Sequence, residues 1–118
     1  MDEFKTVQAL LMNHVADEAV KESNPDVRPY LVTRGGCAGL QRYASTWSGD
    51  NYTCWETLRA NISTVLNMGL SGVANYGCDV GGFWGPAPSA ELFLRWVQHG
   101  IFQPRFSIHS CNSDNTVT

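Results

Sequence analysis

Apolar residues recur at helical spacing in three stretches of the chain, which predicts three amphipathic helices. The predicted inner faces are Val7, Leu10, Leu11, Val15 and Ala19 in the first helix, Trp55, Leu58, Ile62, Val65 and Leu66 in the second, and Leu92, Phe93, Trp96 and Val97 in the third. Asn24 is expected to end the first helix, because a residue that precedes proline avoids the α conformation.

Local sequence also predicts the ends of the other two helices. Thr53 and Glu56 match a capping box at the start of the second helix, which is expected to stop near Gly69. Ser89 is the predicted N-cap of the third helix, and Gly100 is its predicted end.

Four short runs with β-like composition lie between and after these helices, at residues 29–34, 44–47, 73–76 and 104–108. The first of these runs is expected to be a buried strand. The order α-β-β-α-β-α-β predicts an α/β fold with about four parallel strands and crossover helices. A (β/α)8 barrel needs eight strands and about 250 residues. The pattern of this 118-residue chain therefore fits either a small open α/β domain or half of a barrel.

Composition and net charge exclude several classes of function and location for this chain. The net charge is −3 and the Lys and Arg residues are scattered, so neither nucleic acid nor an anionic membrane is an expected partner. The four cysteines, Cys37, Cys54, Cys78 and Cys111, show no metal-ligand spacing and are expected to be reduced, partly buried thiols. With no visible signal peptide and no apolar run of about 20 residues, the expectation is a cytoplasmic protein without a membrane span.

Polar residues come at or just after the C-terminal ends of the predicted strands, where barrel enzymes place their active sites. They are Arg34, Asp50, Asp79 and His109. Asp50 lies in W-S-G-D-N (residues 47–51) and Asp79 in G-C-D-V-G-G-F (residues 77–83), each beside glycine and an aromatic residue. Carboxylates can handle protons and hydroxyls while an aromatic ring stacks on a sugar, so this combination indicates a carbohydrate site.

Each of these residues also has an ordinary structural explanation. Gly-Asp-Asn is common turn chemistry, Asp79 fits a loop cap, Arg34 fits a surface ion pair, Trp47 fits a core position, and His109 fits a strand-end histidine. His14 and His99 lie on predicted helices and are expected to be non-functional, and Cys78 is expected to serve packing.

Several motifs in a fixed order resemble glycoside hydrolase family 31, the α-glucosidase family. They are R-P-Y-L-V-T-R (residues 28–34), A-G-L-Q-R-Y (38–43), W-S-G-D-N (47–51), G-C-D-V-G-G-F (77–83), R-W (95–96) and F-Q-P-R-F-S-I-H (102–109). The resemblance runs from about Val7 to the C-terminus. It implies a retaining hydrolase of α-glucosides that needs no metal or organic cofactor. The family also includes α-xylosidases, sulfoquinovosidases, transglycosylases and lyases, so the substrate stays open.

The resemblance implies a role for each candidate residue. Asp50 looks like the general acid/base. The implied substrate-binding residues are Arg34, Asp79 and His109, which would hold sugar hydroxyls, and Trp47 and Phe83, which would form walls of the −1 subsite. Arg34 would also support the acid/base.

The family's nucleophile is an aspartate in a W-x-D-M-N-E-P segment, and these 118 residues contain no such segment. The resemblance places it upstream of Met1. Residues 1–118 are therefore expected to form one partial catalytic domain, the second half of a (β/α)8 barrel, with the nucleophile-bearing first half absent. The rival expectations are a truncated, non-catalytic remnant that binds sugar weakly, and an independent α/β domain. A half barrel has two unpaired sheet edges, so we expect it to associate with the missing half or with another copy.

Overall fold

The computed structural model describes the backbone of residues 2–111 and the side chains of residues 4–111. The elements are α1 (Asp2–Ser23), β1 (Val32–Thr33), a 3-10 turn (Leu40–Arg42), β2 (Ser45–Trp47), α2 (Trp55–Leu70), β3 (Tyr76–Val80), α3 (Ala90–Gly100) and β4 (Arg105–Ile108). The four strands form one parallel sheet in the order β1-β2-β3-β4. The predicted α/β class with four parallel strands is thus confirmed.

The core lies between β3 and the two helices that flank it in sequence. Its buried members are Leu58, Cys78, Val80, Leu92 and Trp96. Trp96 and Cys78 are both fully buried, and the Trp96 indole N–H donates to Cys78 Sγ at 3.3 Å. The predicted inner face of α3 is confirmed, because Leu92 and Trp96 are buried and the other two members pack against the core.

Two strand predictions were wrong. β1 has only two residues instead of the six of 29–34, and Val32 is exposed, as expected for a strand with a neighbour on one side. β3 spans Tyr76–Val80 rather than 73–76, and all five of its residues are buried. Because β3 holds a glycine and an aspartate, its composition did not indicate a buried strand.

The predicted capping box was also wrong. Cys54 is the N-cap of α2 and makes no side-chain capping bond. The Thr53 hydroxyl instead donates to the Gly81 carbonyl at 3.1 Å, so it joins two loops. α2 ends at Leu70, so its predicted end near Gly69 is confirmed. The Ser89 cap is confirmed, since the Leu92 N–H donates to Ser89 Oγ at 3.2 Å.

Helix α1 contacts the segment after β1 with a different side from the one predicted. Its buried residues are Asn13 and Asp17, and Asn13 Nδ2 donates to the Gly35 carbonyl at 3.0 Å. The apolar stripe of α1, defined as Phe4, Val7, Leu11, Met12 and Val15, is more than half exposed at every member. In α2, Ile62 and Leu66 of the predicted inner face are likewise exposed. The exposed faces of these helices are therefore far more apolar than the surface of a typical monomeric domain.

Two further expectations concern thiols and membranes. Cys37, Cys54 and Cys78 are free thiols, and Cys78 is buried. Within the described residues, no helix is both long and apolar enough to cross a membrane.

Candidate active site

The parallel arrangement brings the candidate polar residues to one edge of the sheet. Arg34 directly follows β1, Asp50 comes shortly after β2, and His109 directly follows β4. Asp79 differs from the expectation, because it lies inside β3 as its next-to-last residue. The C-terminal edge of the sheet therefore carries all four residues, with Asp79 set deepest.

The Asp50 carboxylate is partly exposed and forms an ion pair with Arg34. Arg34 Nη1 donates to Asp50 Oδ1 at 3.3 Å, and the two side chains are 60% and 45% exposed respectively. Gly49 between them has φ +72°, and a Cβ there would lie 3.5 Å from the Arg34 guanidinium. The positive φ favours glycine in this turn, and Asp50 stays open to solvent.

The loop that carries Asp50 is fastened to the loop after β3. The Trp84 indole N–H donates to the Asp50 carbonyl at 3.0 Å, and the Phe83 N–H donates to the Asn51 carbonyl at 2.7 Å. Thr53 N–H in turn donates to the Trp84 carbonyl at 2.9 Å. These bonds fix the acid relative to β3 through the backbone, so its position does not depend on side-chain packing alone.

Asp79 is fully buried and paired. Arg105 Nη1 donates to Asp79 Oδ1 at 3.2 Å, and only 15% of the Arg105 side chain is exposed. Burial raises the pKa of Asp79, whereas the hydrogen bond and charge of Arg105, the charge of His109 and a hydrogen bond from the Trp47 side chain act to lower it. Asp79 Oδ2 is buried as well.

Aromatic side chains flank both acids. The Arg105 guanidinium lies over the Trp47 ring, 5.4 Å from its centroid, and the Phe83 and His109 rings are 5.3 Å apart. Trp47 Nε1 is buried, and the Trp47 side chain also forms a hydrogen bond with Asp79. The structure therefore brings together Arg34 with Asp50, Phe83 with His109, and Trp47 with the Asp79 ion pair.

Sequence reasoning missed Arg105 as a member of this site. The residue sits in a run that was predicted only as a strand, and its partner is on the neighbouring strand. Alternation along the predicted strand places Arg105 on the same face as Ser107. Its pairing with Asp79 depends on the register between β3 and β4. In residues 4–111, no three His, Cys, Asp or Glu side chains are grouped to hold a metal ion.

Comparison with known proteins decides the family. The model of the glycosyl hydrolases family 31 TIM-barrel domain matches residues 1–118. The chain belongs to glycosyl hydrolase family 31. The four parallel strands described above are accordingly part of a family 31 TIM barrel, as the sequence predicted.

Relatives with established names support this family. Alpha-glucosidase 2 of Bacillus thermoamyloliquefaciens is 42% identical over 107 residues, which cover 91% of this chain and 14% of that protein. Glucosidase 2 subunit alpha of Schizosaccharomyces pombe is 44% identical over 99 residues, covering 84% of this chain and 11% of that protein. The family 31 chain thus spans only 11–14% of the length of these two relatives.

Solved structures of the family share the fold. A Tris-bound crystal structure of the glucosidase II alpha subunit superposes on this chain with a TM-score of 0.83 at 37% sequence identity. The superposition covers 89% of this family 31 chain and 12% of that chain. These homologues are glycoside hydrolases, and the chain matches one part of their catalytic barrel.

Proposed function

We propose that this chain supplies the acid/base side of a retaining α-glucosidase active site, with Asp50 as the general acid/base. The observation that carries the proposal is the contrast between the two acids. Asp50 is accessible and held by Arg34, whereas Asp79 is buried and held by Arg105. A group that must give a proton to the leaving oxygen and later take one from water needs access to both.

The remaining site residues are proposed to bind the sugar. Asp79 and His109 hold hydroxyls of the glucosyl ring, and Arg34 does so while supporting Asp50. Trp47 and Phe83 form walls of the −1 subsite. Asp79 is not proposed as the nucleophile, because its Oδ1 already accepts a hydrogen bond from Arg105.

The nucleophile is proposed to come from outside these 118 residues. A retaining glycosidase needs a second carboxyl about 5–5.5 Å from the first. The sequence contains no W-x-D-M-N-E-P segment to provide it. The chain then acts as the second half of a catalytic barrel, from its fourth helix to its eighth strand, and the other half is its structural partner. The named α-glucosidases among its relatives support α-linked glucosyl residues as substrate. We propose that terminal residues are cleaved, by double displacement.

The test is the variant Asp50→Asn in the complete enzyme that carries this segment. Turnover of maltose should fall about 10²- to 10⁴-fold, the usual contribution of a general acid/base. Aryl substrates with activated leaving groups should suffer less in the glycosylation step, because their leaving group needs no proton. Asp26→Asn, at an exposed turn residue, is the matched control. Unchanged maltose turnover in Asp50→Asn would contradict the assignment of Asp50 as the general acid/base.

A non-catalytic role for the isolated chain is favoured by the missing nucleophile segment. We infer that the purified 118-residue chain binds glucosides weakly at most and does not hydrolyse para-nitrophenyl α-glucoside. Clear turnover that Asp50→Asn abolishes would overturn this part of the proposal while supporting the role of Asp50.

We also propose that the protein is located in the cytoplasm. Cys37, Cys54 and Cys78 are free thiols, which suits a reducing compartment. Fractionation of the source cells should place the enzyme with cytosolic markers, and recovery in a secretory compartment contradicts this location.

A further inference from the structure

The Asp50 side chain forms an exposed ion pair with Arg34, which is a weak support for a catalytic group. The donor–acceptor distance is 3.3 Å, and the Arg34 and Asp50 side chains are 60% and 45% exposed. Exposed ion pairs contribute little to holding a side chain in place. The attraction also depends on the charge of Asp50, so it weakens whenever Asp50 is protonated. A general acid/base that changes charge in every catalytic cycle therefore needs a support that does not depend on this charge.

The Trp84 side chain supplies such a support through the main chain of Asp50. The indole N–H of Trp84 donates to the Asp50 carbonyl oxygen at 3.0 Å. Within residues 4–111, this is the one hydrogen bond that the main chain of Asp50 makes. A backbone carbonyl accepts a hydrogen bond whether the carboxyl group of the same residue is charged or neutral. The bond from Trp84 is therefore available in both protonation states of Asp50.

Neighbouring contacts hold the Trp84 indole in this orientation. The Tyr52 and Trp84 rings meet edge to face, with centroids 4.7 Å apart and an interplanar angle of 77°. The two residues also form a parallel β-bridge, and the Thr53 N–H donates to the Trp84 carbonyl at 2.9 Å. Gly85 leaves room for the Tyr52 ring, because a Cβ there would lie 2.7 Å from a ring carbon. Ring packing and backbone bonds thus orient the indole, and its N–H reaches Asp50.

We propose that Trp84 is a positioning residue, whose indole N–H holds the general acid/base in place through the Asp50 carbonyl. The inference rests on the proposed function, since it concerns the residue assigned there as the acid/base. Trp84 acts through Asp50 and not on the substrate. Arg34 holds the charged carboxylate, and Trp84 holds the segment when Asp50 is neutral. Trp84 should therefore matter most in the step in which neutral Asp50 gives its proton to the leaving oxygen as the glycosidic bond breaks.

This role of Trp84 predicts that its importance depends on the leaving group of the substrate. The glucose released from maltose needs a proton from Asp50, and a small displacement of the acid slows that step. The nitrophenolate of para-nitrophenyl α-glucoside leaves without a proton, so its departure does not need a well-placed acid. Damage to the fold or to the sugar subsite would lower the turnover of both substrates alike. The ratio of the two kcat/KM values therefore separates a positioning role from a purely structural one.

The experiment compares Trp84→Phe with the parent in the complete enzyme, by kcat/KM for these two substrates. Trp84→Phe keeps an aromatic ring and the backbone bonds but removes the indole N–H. It should lower kcat/KM about tenfold for maltose and less than about twofold for the aryl glucoside. Trp55→Phe is the matched control, at a half-exposed indole that makes no hydrogen bond within the described residues, and it should leave both values unchanged. An equal loss on both substrates, or no loss on maltose, overturns the inference.

Two further variants cover the case in which the smaller phenyl ring itself disturbs the fold. Benzothienylalanine at position 84 keeps the shape of the indole but replaces its N–H with sulfur, so it should show the same selective loss on maltose. Parent kcat/KM for maltose in this variant overturns the inference. Trp84→Phe added to Asp50→Asn should cause no further loss, and a further tenfold loss overturns the inference, because Trp84 then acts independently of Asp50. Unchanged maltose turnover in Asp50→Asn alone would instead show that the proposed function fails.

Discussion

Strands β3 and β4 pair over four residues, whereas β1 pairs with β2 over two. The β3–β4 side also contains the core, with Cys78, Val80 and Trp96 almost completely buried. On the β1–β2 side, Val32 is exposed and the apolar stripe of α1 faces outward. One side of the sheet is thus packed within the chain, and the other presents surfaces that a barrel would cover.

The two acids differ in the same way, and the difference sets their chemistry. Asp79 has 0% exposed side-chain area, while Asp50 has 45%. Carboxyl groups of one residue type take different roles when their environments differ. Burial beside Arg105 suits a carboxylate that stays a hydrogen-bond acceptor, as is proposed for Asp79. An accessible position suits a carboxyl group that must change its protonation state, as is proposed for Asp50. Variants on the packed side and on the open side should therefore differ in their effects.

Core packing should produce the largest effect on stability. Trp96→Ala removes a fully buried ring and its bond to Cys78 Sγ, so it should cost about 3–5 kcal/mol of unfolding free energy. Trp55→Ala, at a half-exposed indole on α2, is the matched control and should cost less than about 1 kcal/mol. Urea denaturation at one fixed protein concentration measures both. Equal losses would contradict the contrast.

The close approach of β3 and β4 should give the next largest effect. Gly77→Ala places a Cβ 2.1 Å from the Arg105 carbonyl oxygen, so it should destabilise the chain by about 3 kcal/mol through overpacking. Gly69→Ala is the control, because a Cβ there meets nothing within 4 Å. It should stabilise α2 by about 0.5–1 kcal/mol. A Gly77→Ala chain with a wild-type urea midpoint would disprove the close strand contact.

Association through the open side should be a smaller effect. We expect the isolated chain to associate in solution, because its apolar stripe is exposed. Leu11→Gln should weaken this association about tenfold, from the lost burial of one leucine side chain. Glu22→Gln, an exposed polar residue of the same helix, should change nothing. Sedimentation equilibrium measures the association constant, and a wild-type chain that stays monomeric contradicts the prediction.

The smallest predicted effect concerns pH and His99. Burial lowers the pKa of His99 below its usual value of 6.5, and the ring contacts Gln103. The unfolded chain then binds more protons below pH 6.5, so stability is fully present above that pH and falls as the solution is acidified. His99→Gln should flatten this part of the stability–pH curve. An unchanged slope between pH 7 and pH 5 counts against a lowered pKa of the half-buried His99.

The sequence predicted some elements well because their cause is local. The inner face of α3 and its Ser89 cap depend on residues within one helix, and both were confirmed. The boundaries of β3 were missed, because a strand buried on both faces needs no alternation and here contains Gly77 and Asp79. The face of α1 was mistaken for a different reason. An apolar stripe indicates that something covers it but not which part of the protein does so.

The candidate site likewise has features that local sequence predicts and features that depend on the assembled sheet. The order of strands and motifs along the chain predicts that Arg34, Asp50, Asp79 and His109 share one edge, since parallel strands align their C-terminal ends. The pairing of Asp79 with Arg105 depends on strand register and on the space left by Gly77, which are properties of the assembled sheet. Local sequence does not contain that information.

The most direct test of the central claim is rescue of Asp50→Ala by azide in the complete enzyme, with an activated aryl α-glucoside as substrate. Azide attacks the glycosyl-enzyme intermediate without a general base, so it should accelerate the variant about 10- to 100-fold and not the parent enzyme. The predicted product is the α-configured glucosyl azide. A variant that azide does not accelerate, or that releases no glucosyl azide, contradicts the assignment of Asp50 as the general acid/base.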